Sequence, residues 1–150
     1  MKTFKYIALL AITLFTLACE KDEDRVVLNS NPGTPDIITP APNSAYVLTA
    51  ANDKQTIQFV WKEPNYGFSA SAAYNILADT PEGNFVKPQK LLSSVSYNDS
   101  ALVTYKALNT AALALKLKAG EEGVLKVKVI SVLAGDTLHS AAINIKVTPY

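Results

Sequence analysis

The single histidine of this chain, His139, stands close to Asp136, Thr137 and Ser140, a grouping with the residue types of an acid–base–nucleophile set. All four lie on a tight turn and the start of the strand beside it, without a nucleophile elbow or oxyanion loop. A solvated turn is the expected reading, and no catalytic residue is assigned. One histidine and one cysteine, Cys19, cannot furnish the three or four ligands of a transition-metal site. The acids near Cys19 lack the alternating spacing of a calcium loop. Glu121 and Glu122 are adjacent carboxylates in a Gly-flanked turn, too exposed for one to act as an acid. No glycine loop that would cradle phosphate is found, so no cofactor and no metal are expected and the chain is read as not an enzyme.

Aromatic side chains offer the other chemistry, stacking. Trp61, the one tryptophan, alternates with Ile57 and Phe59 on a single face and is assigned to the core. Tyr66 and Phe68 fall instead in the turn that follows, among Pro64, Asn65, Gly67 and Ser69. They either close the end of the core or contact a glycan or protein partner, as loops at the end of a sandwich do.

Cys19 has a different context. Met1 to Lys5 is short and basic, and Tyr6 to Leu17 is an apolar run too short to cross roughly 30 Å of hydrocarbon. Residues 1–18 are therefore read as a signal peptide. Its end, Thr16-Leu17-Ala18-Cys19, resembles a bacterial lipobox, although Thr16 stands where leucine is usual. Lipidation of Cys19 accounts for an otherwise solitary cysteine in an exported chain. The acyl chains of a processed lipoprotein, at about 0.8 kcal/mol per buried methylene, make such an anchor effectively permanent. Lys21, Asp22 and Glu23 follow, a solvated run that resembles the export signal behind the cysteine in surface lipoproteins of Bacteroidetes-type bacteria.

The elements that must carry these groups can be read from punctuation and alternation. Residues 19–35 form an acidic and Pro-rich tether, ending in the breaker sequence Asn29-Ser30-Asn31-Pro32-Gly33-Thr34-Pro35. Seventeen extended residues from Cys19 to Asp36, at about 3.1 Å each, reach roughly 50 Å from a bilayer. Residues 36–150 are one domain's length. Within it Thr56–Trp61, Tyr74–Ala78, Leu102–Tyr105, Val124–Val129 and Ile143–Val147 alternate apolar and polar residues or are β-rich, and turn clusters separate them. The expected fold is an all-β sandwich of about seven strands. One short crossover helix is expected after a cap at Asn109-Thr110 and before Gly120.

Charge excludes a further class of function. Two of the 14 basic residues, Lys2 and Lys5, lie in the leader, so 12 remain against 13 acidic and the net is −1. Nucleic acid is not an expected partner.

The stretch Phe59-Val60-Trp61-Lys62-Glu63-Pro64 followed by Tyr74-Asn75-Ile76 resembles strands of immunoglobulin/fibronectin III-like domains. A fuller likeness is to the N-terminal domain of SusE-like lipoproteins of Bacteroidetes starch and polysaccharide utilisation. It is carried by the acidic run after Cys19, Ile38-Thr39-Pro40, Tyr46-Val47-Leu48, Trp61 with Tyr74, Ala107-Leu108-Asn109, and the closing Ile143 to Tyr150. That resemblance implies an outer-membrane lipoprotein, exposed at the cell surface or on the periplasmic face. It would be an accessory glycan-binding or assembly component, with starch-like or other polysaccharide and TonB-dependent transporter proteins as partners. Because the likeness covers the family's spacer-like first domain, a structural spacer or docking module without sugar binding is the alternative. Asp99-Ser100-Ala101 and Asp136-Thr137-Leu138 resemble acceptor sites for O-glycosylation at Ser100 and Thr137, both in expected turns.

Overall fold

The computed structural model describes residues 27–96 and 99–150, and within them the chain folds as a two-sheet β-sandwich with one α-helix. A three-stranded sheet has the order β1 (Asp36–Thr39), β3 (Thr56–Lys62), β6 (Ser100–Thr104). The larger sheet runs β2 (Ala45–Val47), β9 (Ile143–Thr148), β7 (Gly123–Leu133), β4 (Ala73–Asp79), β5 (Gln89–Ser96), with β8 (Asp136–His139) also on β7. Nine strands are thus seen where about seven are expected. β1, β2, β5 and β8 are not among the runs singled out from the sequence; β1, β2 and β8, of four, three and four residues, are too short for alternation to reveal them.

Period-two burial builds the core. Ile57, Phe59 and Trp61 point inward from β3 and meet Tyr74, Ile76 and Ala78 of β4, with Leu125, Val127 and Val129 of β7 and Ile145 and Val147 of β9. Trp61 is 1% exposed, so it is a core residue as expected, its ring 5.0 Å from that of Tyr74. β7 is the spine of the larger sheet. It pairs with β4 along one side, while its other side is divided between β9 at Gly123–Val127 and β8 at Ile130–Leu133.

The crossover helix α1 spans Tyr105–Ala114 and joins β6 to β7. It begins earlier than the sequence suggests, because Thr104 at the end of β6 is the cap, its hydroxyl accepting the Ala107 N–H at 3.1 Å. Asn109, expected to start the helix, is buried within it. Its side chain accepts the Tyr150 N–H at 2.9 Å and donates to the Tyr150 carbonyl at 3.2 Å, clasping the last residue to the helix. The helix also ends before Gly120. Lys116 adopts φ +69°, and the N–H groups of Lys116 and Leu117 close on the carbonyls of Leu113 and Ala112.

Register fixes what lies at each end. Ala73 pairs with Val132 and Asp79 with Lys126, so the loop 63–72 and the β7–β8 hairpin share one end. The loop 80–88, α1 and Tyr150 lie at the other. Asp79 orders that second loop by accepting the N–H groups of Thr80 (2.8 Å) and Phe85 (2.7 Å), and Lys126 donates to the Gly83 carbonyl at 2.9 Å. Phe85 then covers Lys128, whose ammonium sits 4.2 Å from the ring centre. Burial holds the Lys128 pKa below its usual value, partly offset by Asp79.

Candidate functional site

Beyond β3 the chain turns at a buried Pro64 and sends Tyr66 into the end of the core. Its hydroxyl lies 2.8 Å from that of Ser131, which continues the inward row of Leu125, Val127 and Val129 on β7. This polar pair closes an otherwise apolar stack. Tyr74, just below, has its pKa pushed up to about 12, first by burial, with Ser131 opposing and Glu63 and Tyr66 adding. Gly67, at φ +85°, then reverses the chain, its N–H donating to Asn65 Oδ1 at 3.0 Å. The two aromatic residues are consequently divided: Tyr66 is 7% exposed and Phe68 is 39% exposed.

A cleft of about 340 Å³ opens beside Tyr66. The β7–β8 hairpin supplies one wall through Leu133, Thr137 and Leu138, and the segment before β1 supplies the other through Leu28, Asn29 and Pro32. Part of the stretch assigned to the tether therefore runs along the domain: Asn29 donates its N–H to the Tyr66 carbonyl at 2.9 Å, and Asn65 donates to the Pro32 carbonyl at 2.7 Å. Thr137 is exposed on β8 within this wall, and Ser100 is half-buried as the first residue of β6. These two hydroxyls stand on strands, not in the turns expected for them, and on different sheets.

The remaining candidates can be placed one by one. His139 is exposed at the end of β8, its pKa lowered by burial and then by Lys128. The next residue, Ser140, is buried, and its hydroxyl accepts the Val129 N–H (3.0 Å) and donates to the Ala141 carbonyl (2.7 Å). Histidine and hydroxyl are thus separated by the strand's alternation, and the hydroxyl is engaged by backbone. Glu121 and Glu122 are exposed and face Lys118 (3.4 Å) and Lys146 (2.9 Å). Among the described residues no cluster of three or more His, Cys, Asp or Glu is placed to hold a metal. Cys19, Lys21, Asp22 and Glu23 lie outside the described residues.

Two groupings escape a sequence reading. Asn29 and Asp79 each tie several backbone N–H or carbonyl groups, and the only sequence signal is an Asn or Asp beside Pro and Gly, which any turn shares.

The structure thus defines a class, an all-β two-sheet sandwich with one short helix and an apolar, partly aromatic cleft at one end, and such a fold by itself names no chemistry. The family is given by comparison: the SusE outer membrane protein model matches residues 21–130, and the chain belongs to that family. It is accordingly an outer membrane protein of a Sus-like system. The match includes Trp61, Tyr74 and Ala107-Leu108-Asn109, and it stops within β7, before the closing strand that also resembles the family. No curated protein matches the chain. Among the described residues no helix is long and apolar enough to cross a membrane.

Proposed function

We propose that the protein is a lipid-anchored assembly module of a polysaccharide-utilisation system, held to the outer membrane through Cys19 and displayed at the cell surface. The family match over residues 21–130 carries this reading. The lipobox-like Thr16-Leu17-Ala18-Cys19 and the run Lys21-Asp22-Glu23 support the anchor and the surface location. Burial favours assembly over sugar recognition, because a sugar ring stacks on an open aromatic face and Tyr66 gives its ring to the core.

Glycan contact is the second reading, favoured by one observation. Phe68 remains exposed in the same loop as the cleft, which is of a size for one sugar ring. Crosslinking in intact cells separates the two. An assembly module is captured with a neighbouring transporter or lipoprotein whether or not polysaccharide is supplied. Loss of every crosslink without polysaccharide, together with retention of the purified protein on immobilised glucan that Phe68→Ala abolishes, overturns assembly in favour of glycan binding.

A further inference from the structure

The segment before β1 is built into the fold at one place. Asn29 is held three times: its N–H donates to the Tyr66 carbonyl (2.9 Å), its Nδ2 to the Asn65 carbonyl (2.9 Å), and its Oδ1 accepts the Asn31 N–H (3.1 Å). Asn65 answers by donating to the Pro32 carbonyl at 2.7 Å, so residues 29–32 and 65–66 bond reciprocally. Gly67 makes room. A Cβ there would stand 3.2 Å from the Val27 carbonyl oxygen and 3.5 Å from Asn29 Cβ, and φ +85° disfavours any side chain. The same strap forms one wall of the cleft over Tyr66.

We propose that residues 27–32 are a latch that shortens the tether and holds the Tyr66 end of the sandwich close to the membrane. The inference rests on the lipid anchor at Cys19. A free tether would leave the domain at Asp36, which pairs with Lys62 and so lies at the same end, but it would allow roughly 50 Å of reach and with it free tumbling of the domain. With the latch closed the chain leaves at Asn29, ten residues from Cys19, and the reach falls to roughly 30 Å. The loop carrying Phe68 and the β7–β8 hairpin then face the bilayer. The opposite end, with α1, the loop 80–88 and Tyr150, is turned outward. Four hydrogen bonds against the ordering of six residues is a close balance, so the latch is poised to open, which lengthens the tether and exposes the Tyr66 wall.

Amide hydrogen exchange on the mature chain tests the latch itself. Asn29 and Asn65 amides are expected to exchange at least ~10-fold slower than unstructured chain, in line with local opening against a close balance. Asn29→Pro, which removes the N–H and both side-chain polar atoms of that residue, is expected to remove the protection of Asn65 while leaving that of Trp61, bonded to the Asp99 carbonyl, unchanged. Unprotected Asn65 in the parent protein, or protection that survives Asn29→Pro, overturns the proposal.

Orientation is read by energy transfer from a dye at Ser69→Cys or at Lys118→Cys to acceptor lipid in vesicles bearing the lipidated protein. Stronger transfer from position 69, with the difference reduced by Asn29→Pro, is the expected result. Equal transfer from both ends contradicts the proposed orientation. A chain that fails to join vesicles at all contradicts the anchor instead, and the exchange experiment still decides the latch.

Discussion

Trp61 shows how a residue's surroundings outweigh its type. An indole suits a sugar platform, yet alternation with Ile57 and Phe59 commits it to the interior, where among the described residues its Nε1–H is a buried side-chain polar atom with no hydrogen-bond partner. Trp61→Ala should lower unfolding stability by about 3–5 kcal/mol in urea titrations, whereas Trp61→Phe should cost clearly less, since it also removes an unsatisfied donor. Tyr66 and Phe68 should separate in the same assay. Tyr66→Phe removes the 2.8 Å partner of the buried Ser131 hydroxyl and should cost about 1–3 kcal/mol, while Phe68→Ala should stay within about 0.5 kcal/mol. Tyr74 gives a pH signature. Its folded pKa of about 12 lies above the usual 10.0, so the native state holds the proton more tightly and stability is lost as pH rises from about 10 through about 12. Thermal unfolding across that range should fall steeply for the parent protein and less steeply for Tyr74→Phe; parallel curves would contradict the assignment.

Elements differ in how plainly the sequence announces them. β3, β4, β7 and β9 are legible because one face packs and the other meets water, which writes burial into every second residue. The second half of β4 breaks the rule, with Ile76 to Asp79 all buried, because the loop 80–88 folds back over its outer side. The helix existed where Ala and Leu concentrate, but its start was hidden: Thr104 serves both as the end of a strand and as the cap. Asn109 looked like a cap and is a clasp instead, since only the fold brings Tyr150 beside it. Asn109→Ala should destabilise by about 1–3 kcal/mol by stranding the Tyr150 backbone. Lys116 takes a left-handed turn that glycine accommodates better, so Lys116→Gly should raise stability by about 1 kcal/mol, read as a higher urea midpoint at unchanged slope.

At the scale of the whole molecule, the two ends of the sandwich are unlike. The Tyr66 end receives the tether through Asn29, and the Tyr150 end carries α1 and the ordered loop 80–88. A sequence shows the tether's composition but not its docking, because the bonds between 29–32 and 65–66 are mostly backbone and leave no pattern in side chains. Cys19 lies beyond the described residues, and the role assigned to the molecule depends on it. The most direct test is the intact mass of the protein extracted from its native membrane. A chain beginning at residue 19 with a diacylglyceryl thioether on Cys19 is predicted, and a free Cys19 thiol on the native chain would contradict the anchor.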